Sequence, residues 1–248
     1  MWGRNKEERM RRKRQAGFSM IEMLVACAIT TIIMGAIFAQ IIQGQKFSSS
    51  QAAKLDLFQE SRQFMDQMSR DLRAAGYPNT RNFQADPVSP AQNSPQEAVG
   101  LVLLDVGELR FESSIDGSGN VSVIRYKLVA TGTGCPCVVR SQTQKVEVDP
   151  LEQGESDQTE VQNVLNGTTA DPIFKAYYAD GSAVTLPIDI TNNALANINS
   201  VFITIKVQSP YLDPQTRQKP TMTLLSTVRL NNCSVAYPAT SGTVMGCK

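Results

Sequence analysis

From Phe18 to Ile42 nearly every position is apolar, and the only charge in that run is Glu22. About 20 apolar residues at ~1.5 Å each span a bilayer core of about 30 Å, so the run predicts a membrane-spanning helix over residues 19–42. Beyond it, Gln51 to Ala75 contains neither proline nor glycine. Phe58, Met65, Met68, Leu72 and Ala75 recur at steps of seven, three, four and three, which places them on one helical face. Asp66 and Arg70 stand one turn apart and are expected to pair. Gly76 suits a C-cap, and Pro78 ends the helix. A continuous helix from Ser19 to Ala75 would be roughly 85 Å long. Gly35 and Gly44 are places where it could bend or melt, or where another helix could approach closely.

The period then changes. Residues 79–96 are rich in Pro, Asn, Gln and Ser and read as a surface loop. Runs enriched in β-branched and aromatic residues follow. They are Val99–Asp105, Glu108–Glu112, Val121–Val129, Val138–Arg140, Lys145–Val148, Ile173–Tyr178, Ala183–Ile190, Val201–Val207 and Met222–Leu230. Asp116-Gly117-Ser118-Gly119-Asn120 has a faint calcium-loop look but lacks a correctly spaced bidentate Glu, so it is read as a hairpin turn. Asp180-Gly181 is a second turn, residues 153–167 a polar loop with room for a short strand, and residues 209–220 a long hairpin connection. One long helix followed only by strands predicts an α+β fold, with an antiparallel sheet covering the apolar face of the helix.

Charge adds an orientation. Residues 1–17 hold seven basic and two acidic side chains, a net of +5; the 17 bases and 21 acids of the rest leave it at −4. A basic flank favours the cytoplasmic side, which puts everything after about residue 43 outside. The acidic body argues against nucleic acid as a partner, because phosphate binding needs clustered positive charge. The chain has no histidine, which removes Ser-His-Asp, Cys-His and His-zinc chemistry. No other cluster points to catalysis, so no catalytic residue, metal ligand or cofactor is assigned.

Cysteines refine the picture further. Cys27 lies in the apolar run and is expected to be a small buried hydrophobe. Cys135, Cys137, Cys233 and Cys247 fall in the part placed outside, where disulfides persist. The favoured pair is Cys233–Cys247, which would close a loop rich in Ser, Thr, Gly and Pro and contribute roughly 3 kcal/mol. Cys135 and Cys137, on either side of Pro136, either pair with each other or stay as thiols.

An ordinary signal peptide also joins a basic region to an apolar one, but its apolar run is shorter and its cleavage site lies at the far end. Here a carboxylate sits at the start of the run. By its chemistry Glu22 either rests at headgroup level or is functional and in need of a partner. Gly17-Phe18-Ser19-Met20-Ile21-Glu22, after Arg11-Arg12-Lys13-Arg14, resembles the cleavage signal of type IV prepilins and type II secretion pseudopilins. The resemblance implies that a prepilin peptidase cuts between Gly17 and Phe18 and methylates the new amine of Phe18. It further implies that Glu22 pairs with the N-terminal amine of a neighbouring subunit during assembly. The segment from Ser61 to Tyr77, with Arg70-Asp71-Leu72-Arg73 running into Ala74-Ala75-Gly76-Tyr77, resembles the end of the spine helix in PilW-type minor pilins. Ser226-Thr227-Val228-Arg229-Leu230-Asn231-Asn232 is similar to their final strand, and J-type pseudopilins share much of this layout. The Arg-Asp-Leu-Arg stretch is itself read as a solvated, salt-bridged helix end.

The resemblance implies a type IV pilin fold in three parts: a basic leader at 1–17, a spine helix at 18–76 and an extracytoplasmic β-rich head at 77–248. The expected function is that of a minor pilin in the initiation or tip of a type IV pilus, without enzymatic activity. Its expected partners are the prepilin peptidase, other minor and major pilins, inner-membrane lipid before assembly and, indirectly, the assembly platform and ATPase. A J-like pseudopilin of type II secretion, a membrane-anchored envelope binding protein and a DNA-binding competence pilin are the alternatives.

Overall fold

The computed structural model describes residues 17–78, 95–146 and 148–232. Residues 1–16, which hold all but the last residue of the expected leader, and Cys233 and Cys247 lie outside them. A single helix α1 runs from Met20 to Arg73, 54 residues without a break at Gly35 or Gly44. The chain divides at Ser48/Ser49 into two units, so the second unit carries the rest of α1 and all the strands.

Gly76 ends the helix as the sequence requires. It sits at φ 80°, in the left-handed region, and its amide donates to Glu112 O at 2.8 Å. Among the described residues nine strands follow: β1 (Leu101–Leu104), β2 (Glu108–Ser113), β3 (Ser122–Val129), β4 (Cys137–Gln144), β5 (Asp157–Val161), β6 (Phe174–Tyr178), β7 (Ile188–Asp189), β8 (Ile198–Gln208) and β9 (Thr221–Arg229). They form two antiparallel sheets rather than one, in the orders β5-β4-β3-β2-β1-β7 and β6-β8-β9. The α+β class is as expected. The head belongs to a long helix that packs on both sheets, with Phe64 edge-on to Tyr126 of the larger one and Ser69 Oγ 3.0 Å from Ser226 Oγ of the smaller.

Several local expectations are corrected. Phe58 is exposed, and Phe64 takes its place in the core beside Met65, Met68, Leu72 and Ala75. Complete burial of Met68 and Leu72 stabilises the helix–sheet contact by about 2 kcal/mol each. Asp66 pairs backward with Arg62 at 3.9 Å rather than forward with Arg70, and both partners are exposed, so the pair adds little. The segment expected as a strand at Lys145–Val148 instead leads to a 3-10 turn at Pro150–Glu152, capped by Asp149. Only Ile188–Asp189 of the expected Ala183–Ile190 strand pairs in the larger sheet, because Pro187 just before it has no N–H to offer a ladder. The Asp116 turn joins β2 to β3. Its carboxylate accepts from Ser118 N at 3.0 Å and Ser118 Oγ at 2.8 Å, bonds that hold it below the usual carboxylate range.

Two buried polar clusters lock this architecture. On the helix side of the larger sheet, Asp71 Oδ2 accepts from Tyr126 OH at 2.7 Å and from Arg140 Nη2 at 2.9 Å. The Arg-Asp-Leu-Arg helix end is thus salt-bridged and only half solvated: Asp71 is buried against the sheet, while Arg70 and Arg73 are exposed. Burial beside Asp71 pushes the Tyr126 hydroxyl far up. On the opposite side, Lys145 Nζ meets Glu112 Oε2 at 2.8 Å and Glu97 O at 2.7 Å, with both ionic side chains fully buried. Burial raises the Glu112 carboxyl against the opposing pull of Lys145 and the Val99 amide. Nearby, Arg110 and Arg125 converge on Glu155.

Candidate functional site

Gly17, Phe18 and Ser19 precede α1 in a non-helical conformation. Ser19 holds the N-cap position, its carbonyl accepting from the amides of Glu22 at 3.0 Å and Met23 at 3.1 Å. Glu22 Oε2 reaches back to accept the Ser19 backbone N–H at 3.4 Å. Ser19-Met20-Ile21-Glu22 has the spacing of a capping box, and this is the bond that its acidic member makes. The sequence reading missed this local role, although the Ser-x-x-Glu spacing was the available signal. A carboxylate in the first turn also complements the positive end of the helix dipole. No other described residue donates to Glu22, and its side chain is exposed.

Gly17 has different surroundings from a structural glycine. A Cβ there would meet nothing within 4 Å, and its backbone lies outside the left-handed region. Among the described residues, nothing therefore demands glycine at 17. Phe18 beside it is 79% exposed.

The span itself is built for an apolar environment. An 18-residue window of α1 has a mean hydropathy of 2.2, and the helix is long and apolar enough to cross a membrane. Its hydroxyls are satisfied within the helix: Thr30 Oγ1 donates to Ala26 O at 2.7 Å, and Thr31 Oγ1 to Cys27 O at 2.7 Å. Cys27 is an exposed free thiol rather than the buried hydrophobe expected. The apolar side chains around it are likewise exposed and suited to lipid or to other helices.

In the head, Cys135 and Cys137 are joined by a disulfide. Among the described residues, no group of three or more Cys, Asp or Glu is placed to hold a metal ion.

A glycine, an exposed phenylalanine and a carboxylate thus stand together at the N-terminal end of an apolar helix. Residues 12–38 match the family model of the prokaryotic N-terminal methylation motif. That match supports a type IV pilin-like protein, processed by a prepilin peptidase and associated with pilin assembly machinery. With the apolar helix it fits an inner-membrane-anchored pilin, and the motif suggests a structural rather than enzymatic protein. No curated protein and no solved structure matches the chain.

Proposed function

We propose that this chain is a minor pilin that takes part in initiation or tip assembly of a type IV pilus. The observation that carries the reading is the methylation motif at 12–38, which takes in the start of a membrane-length helix whose far end packs in a β-rich head. Prepilin peptidase cuts between Gly17 and Phe18 and methylates Phe18, discarding the basic leader. The mature chain waits in the inner membrane, with residues 18–76 as the spine helix and the head from residue 77 outside. Neighbouring pilins then receive its helix, extracted by the assembly platform and ATPase. Glu22 sets the register: its charge is costly in lipid, and the amine of Phe18 on an adjacent subunit neutralises it. No step calls for a cofactor, and the reading assigns the chain no catalysis.

The test is deletion of the gene with parallel measurement of surface pili and secreted proteins. Loss of pili, together with recovery of the chain at low abundance in sheared filaments, is expected. Loss of secretion with pili intact would point to a pseudopilin, and a chain confined to membranes would point to an anchored binding protein.

With Cys135 and Cys137 joined, the remaining extracytoplasmic cysteines are Cys233 and Cys247, and we propose that they pair. Non-reducing peptide mapping should give two separate links, Cys135–Cys137 and Cys233–Cys247. A peptide joining one set to the other would overturn the assignment.

A further inference from the structure

A sheet edge is a row of unpaired donors and acceptors, and proteins normally blunt it with short strands, charge, proline, bulges or a covering loop. Among the described residues, three of the four sheet edges are blunted. β7 is two residues long. β5 carries Asp157 and Glu160, and the β4–β5 register slips at Val138/Val139. β6 is covered along its outer side, where Val184 N donates to Ala176 O at 2.9 Å and Tyr178 N to Ser182 O at 3.0 Å.

β9 is different. It pairs with β8 over nine residues with no register shift. Ser209 N donates to Pro220 O at 2.8 Å and Leu230 N to Asn199 O at 2.9 Å. By the alternation of an antiparallel ladder, these bonds turn the backbone groups of Met222, Leu224, Ser226 and Val228 toward β8. Those of Thr221, Thr223, Leu225, Thr227 and Arg229 therefore face away, and among the described residues none of them is hydrogen-bonded there. Their side chains are exposed, Leu225 at 63%. From Thr221 to Val228 there is no charge and no proline. Exposed cations stand at both ends, Lys219 and Arg229, and neither makes an ion pair with a described residue.

We propose that β9 accepts an extended segment of another polypeptide as a fourth strand of its sheet, the segment carrying a carboxylate toward each end and an apolar residue opposite Leu225. Main-chain bonds to Thr221, Thr223, Leu225, Thr227 and Arg229 supply affinity, and the cations select the partner. A second copy of β9 fits poorly. It contains no acid, and an antiparallel pairing centred on Leu225 sets Arg229 diagonal to Lys219 of the copy, like charge against like. This inference does not depend on the proposed assembly role.

The test uses the full chain in detergent micelles. Amide exchange resolved to single residues should show Thr223, Leu225 and Thr227 unprotected while Leu224 and Ser226 are protected. Equal protection of both sets would mean that the chain covers its own edge, and would overturn the proposal. The probe is a labelled peptide of alternating threonine and valine, matched in length to residues 219–229, with an aspartate at each end. It should bind saturably and protect Thr223, Leu225 and Thr227. Thr223→Pro removes an outward-facing donor and leaves the β8 pairing intact, so it should weaken binding at least about tenfold with melting unchanged. Leu225→Lys, which loads the edge with charge, serves if the proline variant fails to fold. A peptide ending in lysines should bind more weakly than the acidic one. Absent binding, binding indifferent to both substitutions, equal binding of the two peptides, or a concentration-dependent dimer abolished by Thr223→Pro would each refute the proposal.

Discussion

Glu22→Ala chains are expected to be cut and methylated at Phe18 like wild type, yet to be depleted at least about tenfold from sheared filaments, a loss equivalent to about 1.4 kcal/mol. In the proposed processing the peptidase acts on Gly17 and Phe18, and the one hydrogen bond of the Glu22 side chain among the described residues goes to neither, but to the Ser19 N–H. A charge at the head of a lipid span is costly until something neutralises it, and the proposed cleavage would create that partner as the amine of Phe18. The capping bond offers a competing explanation with a different signature. Glu22→Gln keeps an acceptor for Ser19 and loses the charge. If capping were the whole role, Gln would behave as wild type and Ala would cost only about 1 kcal/mol at the helix start. Charge pairing makes Gln and Ala equally defective. Immunoblots of membrane and filament fractions decide it, and wild-type incorporation of both variants would refute the pairing.

The second large effect lies in the head. Glu112→Ala is expected to destabilise it by about 3–5 kcal/mol, because Lys145 is left charged and buried with Glu97 O as its remaining described acceptor. Val99 N loses its acceptor in the same step. The double variant Glu112→Leu with Lys145→Met removes both charges and should recover most of that loss, since replacing a buried pair by apolar groups is often neutral. Denaturant unfolding of the full chain measures both. A single variant within about 0.5 kcal/mol of wild type, the range of an ordinary surface substitution, would show that the pair is not locked in the core.

What the sequence disclosed follows the range of the forces involved. The methylation motif was legible because its information is contiguous: basic residues, Gly17, Phe18, Glu22 and the apolar run lie within a single stretch. The same holds for the helix stop at Gly76 and the turn at Asp116–Asn120, where backbone conformation and a nearby side chain settle the matter. Non-local pairing was not legible. The polar run at 153–167 leaves room for a short strand, but which residues form it is settled only by the ladder that β4 offers β5. The exchange of Phe58 for Phe64 depends on where Tyr126 lies, and Tyr126 arrives from a strand more than fifty residues away. The polar locks at Asp71–Tyr126–Arg140 and Glu112–Lys145 join residues that no spacing rule connects. The Glu22 cap is a local feature, legible in the Ser-x-x-Glu spacing: the carboxylate meets the backbone amide three residues away.

The most direct measurement is the N-terminal mass of the protein recovered from its native membrane and filaments. A chain beginning at N-methyl-Phe18, without residues 1–17, is the predicted result. An intact Met1 start in purified filaments would contradict processing at Gly17, and with it the origin of the charge that Glu22 is held to meet.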